Sequence, residues 1–172
     1  MSKCDLMEKY AQIVEMPASN VAYIFYRNLK EEKTNYDEIH ILVIFNNGQQ
    51  QEFKFPVGQL EMVNKRMPLV NKMVGYLKAR NYDSVSRILV IDSSIVYYDK
   101  IEGLKNLSSI DTACGNIKEF IPYGFRFSKL KNGREILHIA GALMRDKRSN
   151  EFSVELDPNS TKDEIFVMNY KF

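Results

Sequence analysis

The two histidines of the chain, His40 and His138, are its first candidates for chemistry. Each lies in a predicted strand and is followed by isoleucine. Two imidazoles that face one cleft can act as general acid and general base on a phosphodiester. A strand histidine is far more often a half-buried, hydrogen-bonded structural residue, which is the interpretation we prefer. The pair therefore predicts catalysis only if the fold brings both rings together.

This pattern resembles the two-histidine phosphoesterases, in which paired His-x-Ser/Thr motifs on strands place two imidazoles across a cleft. The present sequence has His40-Ile41-Leu42 and His138-Ile139-Ala140, so the hydroxyl that would hold the phosphate is missing from both motifs. Stabilisation of the oxyanion usually carries much of the rate of such reactions. The resemblance implies a phosphodiesterase or a nucleic-acid-processing protein that uses His40 and His138.

Three carboxylates near the predicted strand RILVID form a second candidate set: Asp92, Asp99 and Glu102, with Lys100 and Lys105 nearby. Carboxylates at a strand end, beside a lysine, suit a magnesium-dependent phosphodiesterase. They are also ordinary residues of an exposed strand-to-loop transition, which is the interpretation we prefer.

No metal site, cofactor or thiol nucleophile is predicted. Zinc needs clustered ligands, whereas Cys4, Cys114 and the two histidines are far apart in the sequence. Cys114 lies on the apolar face of a predicted helix, where free cysteine usually serves as a core residue. The chain also has no Gly-rich phosphate loop of the common kinds.

Basic side chains on a long predicted helix and on a turn form a candidate binding surface. They can contact the phosphates of RNA or of an anionic membrane. Lysines opposite an apolar stripe are also the ordinary solvated face of a helix, and a net charge of +2 is too small to argue for nucleic acid alone. The residues are Lys65, Lys72, Lys78, Arg145, Lys147 and Arg148.

Length and composition predict one globular domain over residues 1–172. Hydrophobic residues make up 45% and charged residues 27% of the chain, which argues against disorder. Two cysteines are too few for a disulfide framework, and neither a signal peptide nor a membrane-spanning run is evident. We therefore expect a cytoplasmic or nuclear protein that is not secreted.

Hydrophobic periodicity predicts an α+β fold, in which a largely antiparallel sheet of six to eight strands packs on one long helix and two shorter ones. The long helix covers residues 58–80 and is kinked at Pro68, and the shorter helices cover 3–16 and 110–120. The predicted strands are 21–29, 39–45, 50–55, 87–91 and 94–98, followed by a four-stranded meander at 123–130, 135–144, 151–156 and 164–172.

Two details of this prediction concern the 39–45 and 50–55 strands. The first has apolar residues on both faces, which is typical of a central strand covered on both sides. Asn47-Gly48 between them, like Asn132-Gly133 in the meander, predicts a tight type I′ hairpin.

Large side chains that continue to both termini indicate that the ends are anchored, because free chain ends are usually polar and mobile. The anchor is either the chain's own sheet, where these residues are ordinary core aromatics, or a second copy of the chain. The candidate interface residues are Leu6, Tyr10, Phe166, Tyr170 and Phe172. Taken together, the sequence favours a non-enzymatic protein that acts through protein–protein contacts and forms a homo-oligomer. It would be a self-assembling structural component or a small inhibitor of a host complex, of the kind that viruses and phages encode. The phosphodiesterase is the first alternative, and a module that binds RNA or anionic membranes is the second.

Overall fold

Five α-helices, one 3-10 helix and six strands make up the part of the chain that the computed structural model describes, residues 14–95 and 99–171. The helices are α1 (Glu15–Asn28), α2 (Val57–Lys78), α3 (Tyr82–Ile88), α4 (Lys100–Lys105) and α5 (Leu107–Cys114), with the 3-10 helix at Lys30–Asn35. The strands are β1 (Glu38–Ile44), β2 (Gln50–Pro56), β3 (Ile117–Lys129), β4 (Glu135–Arg145), β5 (Asn150–Leu156) and β6 (Val167–Lys171).

The strands form two antiparallel sheets, so the predicted α+β class is confirmed, but a single sheet of six to eight strands is wrong. β1 and β2 form a two-stranded sheet, and the other four follow in the order β3-β4-β5-β6 as the predicted meander. The predicted strand 87–91 is instead the end of α3 and a single parallel bridge between Leu89 and Ile165.

The predicted strand 21–29 is helical and belongs to α1. Its buried residues Ala18, Ala22 and Tyr26 recur every four positions, while Ile24 and Phe25 are exposed, which is a helical pattern. Pro17 does not end a helix. It lies in the first turn of α1, where its missing N–H costs no hydrogen bond. Most of the predicted helix 3–16, and residues 96–98 of the predicted strand 94–98, lie outside the described residues.

α2 is one unbroken helix that contains Pro68, in agreement with the prediction of a single helix. Its buried stripe joins α1 and both sheets in one core cluster. The rings of Phe55 on β2 and Phe125 on β3 meet edge to face with centroids 6.0 Å apart, so this core connects the two sheets.

The predicted helix 110–120 is shorter than expected, because α5 ends at Cys114 and β3 begins at Ile117. Pro122 lies inside β3, next to a register shift between Pro122 and Gly124. A proline is tolerated there because β3 is an edge strand and is bulged at this point.

Both Asn-Gly sequences form hairpins, but neither turn is type I′. A type I′ turn needs positive φ at both central residues, and among the described non-glycine residues only Lys30 and Arg80 have it. Gly48 and Gly133 have φ of +82° and +84°. Each glycine donates its N–H to the carbonyl three residues earlier, Phe45 and Leu130, and so closes a three-residue loop.

The free edge of β3 is covered by the first turns of α1. Ser19 Oγ accepts the Phe125 N–H at 2.8 Å and donates to the Met16 carbonyl at 2.8 Å, and Asn20 Nδ2 donates to the Pro122 carbonyl at 3.1 Å. Gly124, with φ of +152°, lets the backbones approach, since a Cβ at this position would lie 1.9 Å from the Met16 carbonyl oxygen. Two side chains and one glycine therefore dock the helix on the strand.

We predict that Gly124→Ala lowers the free energy of unfolding by about 1–3 kcal/mol, because the new methyl group meets a backbone carbonyl that cannot rotate away. Gly75→Ala is the matched control. Its methyl group meets nothing within 4 Å inside α2, and it should stabilise the protein by roughly 0.5–1 kcal/mol. Urea unfolding of both variants checks this. Equal changes in the free energy of unfolding would contradict the close contact between Gly124 and α1.

A buried ion pair joins β4, α5 and β6. The side chain of Arg145 is fully buried, and Nη2 donates to Asp111 Oδ1 at 2.6 Å. Its Nε donates to Asn150 Oδ1 at 2.7 Å, and its other donors reach the Gly115 carbonyl and Tyr170 Oη. All three guanidinium nitrogens therefore have acceptors.

Two tyrosines complete this network around Asp111. Tyr82 Oη donates to Oδ2 at 2.8 Å, and Tyr170 Oη to Oδ1 at 3.1 Å. Burial, and then the hydrogen bond to Asp111, raises the pKa of Tyr82 to about 12. Burial also raises the pKa of Tyr170, followed by the charge of Asp111. Both phenols therefore stay neutral donors.

We predict that Arg145→Leu costs about 3–5 kcal/mol of stability, because Asp111 is left as a buried charge without its cationic partner. The double variant Arg145→Leu/Asp111→Leu should lose less than the sum of the two single variants. Lys147→Leu, at an exposed position two residues away, is the control and should stay within about 0.5 kcal/mol. Additive single losses in thermal unfolding would show that the pair is not coupled.

Candidate interaction surfaces

The β1–β2 hairpin has an inner face toward the core and an outer face toward solvent. Ile39 pairs with Phe55, and both are buried, while Ile41 and Phe53 pair one step further along and are partly buried. The two-sided burial predicted for this strand is wrong, because the outer face is uncovered by the described residues.

The outer face of the hairpin carries an apolar half and a charged half. Leu42 and Ile44 are 56% and 63% exposed at the turn end of β1. His40 and Glu38 precede Leu42 by two and four positions on the same face of β1. On β2, Glu52 lies opposite Leu42 and Lys54 lies opposite His40. Exposed leucine and isoleucine on adjacent same-face positions form an unusual surface for a strand edge.

His40 is held between two glutamates on this face. Its Nε2 lies 2.6 Å from Glu38 Oε1, and its Nδ1 lies 2.8 Å from Glu52 Oε1. Only the imidazolium can donate from both nitrogens. The hydrogen bonds to Glu38, and then to Glu52, therefore raise the pKa of His40 above its ordinary value of 6.5.

β1 presents an unpaired row of backbone groups at its outer edge. The Val57 N–H donates to the Asp37 carbonyl, and the Phe45 N–H to the Gln49 carbonyl, so the odd-numbered residues of β1 bond to β2. In an antiparallel pair the alternate residues point their N–H and C=O groups away from the partner. These are Glu38, His40, Leu42 and Ile44, and no backbone hydrogen bond from another described element reaches them.

We predict that His40 titrates above pH 6.5 and that Glu52→Gln lowers its pKa, because the amide keeps an acceptor but loses the charge. Since the pKa is raised by folding, the stability from these pairs is complete below about pH 6.5 and is lost as the pH rises through the folded value. NMR titration of the His40 ring checks this. Glu155→Gln, on the other sheet, is the control, and a His40 value at or below 6.5 would contradict the prediction.

His138 lies on the other sheet, on the face of β4 opposite to the main core. Its Nδ1 is 3.4 Å from Glu155 Oε1, and Arg126 is its register partner on β3. The two histidines thus have separate carboxylate partners on separate sheets. No hydrogen bond or ion pair among the described residues joins the two rings.

The candidate carboxylates do not converge. Asp92 binds Arg134, whose guanidinium also reaches Asp157 Oδ2 at 3.1 Å, and Asp99 accepts the N–H groups of Ile101 and Glu102 at the start of α4. In residues 14–95 and 99–171, no group of three histidine, cysteine, aspartate or glutamate side chains is arranged to hold a metal ion. Cys114 is buried, as the sequence predicted.

The basic residues singled out from the sequence fall into three groups. Lys65 pairs with Glu61 at 2.9 Å, and Lys72 with Asp163 at 2.7 Å, so the surface of α2 is charge-matched at both positions. Arg145 is not on the surface at all, because its side chain belongs to the buried network. Lys78, Lys147 and Arg148 form the third group and are exposed.

Two further cations, Arg80 and Lys118, meet these three around Asn116 and Asp146. Lys78 Nζ donates to the Lys118 carbonyl at 3.1 Å, and Arg80 Nη2 to Asn116 Oδ1 at 3.1 Å. Asn116 in turn donates from its backbone and its side chain to Asp146, at 2.8 and 3.0 Å. We call the exposed residues Lys78, Arg80, Lys118, Lys147 and Arg148 the basic end.

The turn between β4 and β5 is hydrogen-bonded to the segment between α5 and β3, beside the basic end. The Arg148 N–H donates to the Cys114 carbonyl at 3.1 Å, and Gly115 packs against the side chains of Asp146 and Lys147. Partial desolvation acts to raise the pKa of Asp146, but the Asn116 hydrogen bonds and the charge of Lys118 outweigh it and lower the pKa. Asp146 is therefore ionised and accepts hydrogen bonds from Asn116 within the basic end.

The aromatic residues proposed as an interface are internal where they can be described. Phe166 is buried in a small second core with Ile95, Ile136 and Val167, and Arg134 stacks on its ring at 4.4 Å. Tyr170 belongs to the Arg145 network. Leu6, Tyr10 and Phe172 lie outside the described residues.

Comparison with known proteins gives no guide to these surfaces: no family model, no curated protein and no solved structure matches the chain. Among the helices that the structure describes, none combines the length and the apolar character that crossing a membrane requires.

Proposed function

We propose that the protein acts through protein–protein contacts and that the free edge of β1 is the contact surface, with a second copy of the chain as its partner. The observation that carries this proposal is the coincidence of two features on one strand. Four residues of β1 have backbone groups that point away from β2, and two of them, Leu42 and Ile44, are exposed apolar residues. A partner strand satisfies the first feature and places side-chain neighbours beside the second.

β1 is a better edge than β2. The outward residues of β2 include Glu52 and Lys54, and the strand ends in Pro56, which has no N–H to donate. Charged residues and proline are the usual means by which an edge strand resists pairing. β1 has such protection only in its first half, at Glu38 and His40.

The charge pattern of β1 suits pairing with itself. An antiparallel two-fold pair centred on Ile41 places His40 opposite Leu42 of the second copy and Glu38 opposite Ile44 of the second copy. All four outward residues of each strand then have a partner, and no like charges face each other. On the inner face, Ile39 meets Val43 across the pair, so the apolar face continues through the interface. Such an isologous contact closes as a dimer.

Light scattering over a range of concentrations tests the proposal. We expect the mass to rise from 20.0 kDa toward twice that value as the protein is concentrated. Leu42→Lys should keep the mass at 20.0 kDa, because it places a charge at the centre of the pair. Ile91→Lys is the matched control, since Ile91 is 78% exposed and lies outside β1. A wild-type protein that stays monomeric at all concentrations would overturn the proposal.

Cross-linking tests the register, in a Cys4→Ser background that leaves only the buried Cys114. Opposed residues of a hydrogen-bonded pair have Cα atoms about 5.5 Å apart, within disulfide range. A mixture of His40→Cys and Leu42→Cys chains should form a disulfide-linked dimer, whereas neither variant alone should. A dimer by mass that cross-links in no combination would retain self-association and reject this edge.

A further inference from the structure

We propose that the basic end is a second binding site, separate from the β1 edge, and that its ligand is the phosphodiester backbone of nucleic acid. Lys78, Arg80, Lys118 and Lys147 contribute four exposed cations from one helix, one strand and two turns. Lysine and arginine are the side chains that bind phosphate oxygens, arginine with two parallel donors and lysine as a point charge.

The site is built rather than a chance cluster of mobile lysines. Lys78 and Arg80 are tied to the start of β3 through the Lys118 carbonyl and Asn116. Asp146 fixes Asn116, lies 3.9 Å from Lys118 Nζ and holds the turn that carries Lys147. One carboxylate thus positions several cations, and the surplus of positive charge remains exposed.

Arg80 occupies a backbone conformation that favours glycine. The Asn81 N–H donates to the Tyr76 carbonyl and the Arg80 N–H to the Leu77 carbonyl, which is the Schellman arrangement at a helix end. The residue at this position is left-handed and is usually glycine, but here Arg80 has φ of +53°. A strained arginine where glycine would fit better points to a use for its guanidinium.

The composition of the surface favours nucleic acid over a lipid bilayer. Proteins that bind an anionic bilayer through a basic face usually insert apolar side chains beside it. None of the exposed large apolar residues lies in 78–83, 114–118 or 145–150, the segments that form the basic end, although Met144 directly precedes the last of them. The exposed charged groups of these segments are five cations and two carboxylates, Asp83 and Asp146, and the net positive charge suits phosphates along an accessible strand.

The first test is binding of a fluorescent single-stranded RNA and of a DNA duplex, measured from low to physiological salt. Four phosphate contacts predict a slope of log affinity against log salt near −3 for the single strand and somewhat steeper for the duplex, about −3.6. Lys118→Glu/Lys147→Glu should weaken binding by about tenfold or more and make the slope shallower.

Lys129→Glu/Lys131→Glu is the matched control. It makes the same charge change at the other end of β3, roughly 35 Å from Lys118 for eleven residues of strand. We expect a change in affinity below about twofold. An equal loss in both double variants would show that net charge, and not this site, governs binding, and would overturn the proposal.

Arg80→Gly separates binding from folding. Glycine relieves the left-handed strain, so the melting temperature should rise by about 2–4 °C while RNA and DNA affinity falls. An unchanged affinity in this stabilised variant would remove Arg80 from the site. Wild-type protein that binds neither nucleic acid, or that binds only vesicles containing phosphatidylserine, would overturn the proposal.

Discussion

The buried guanidinium of Arg145 is the constraint on which the C-terminal half of the molecule depends. A buried charge must be both paired and hydrogen-bonded, and Arg145 meets this need with Asp111, Asn150, Tyr170 and the Gly115 carbonyl. These partners come from α5, from the start of β5, from β6 and from the link into β3. One interior residue thereby fixes the place where four segments meet. The exposed turn begins at Asp146, directly after Arg145. The buried network therefore fixes the backbone from which the charged side chains of this turn project.

The meander was predictable because parts of its strands alternate between apolar and polar residues, most clearly β5, and because short turns join β3 to β4 and β4 to β5. The same alternation contains the position of Arg145: Leu137, Ile139 and Leu143 are buried, and two residues further along the same face is Arg145. Reading it as a turn residue placed it on the surface. The strand predicted at 21–29 failed for another reason. A run such as VAYIFY satisfies both periods, and only the docking of Ala18, Ala22 and Tyr26 on the core decides for a helix.

The two surfaces differ in how far the sequence anticipated them. Lys78, Arg80, Lys147 and Arg148 were recognisable as basic residues, but Lys118 was not, because it joins them only through contacts between residues 36 and 40 positions apart. The sequence did not predict that β1 is an edge strand, because apolar residues on both faces are typical of a central strand. Its exposure results from the division of the strands into two sheets. On the side of β3, α1 occupies the sheet edge at which a further strand would pair.

The docking of α1 on β3 also has a consequence for the order of synthesis. Ser19 and the Phe125 N–H that it accepts are 106 residues apart, so the helix leaves the ribosome long before its partner strand exists. At about 5–20 residues per second, the interval is on the order of 5–20 seconds. Throughout it, α1 can pack only on the β1–β2 sheet and on α2, and the part of it that contacts β3 has no partner strand. The first helix that the structure describes therefore completes its packing only when β3, the third of the six described strands, has been synthesised.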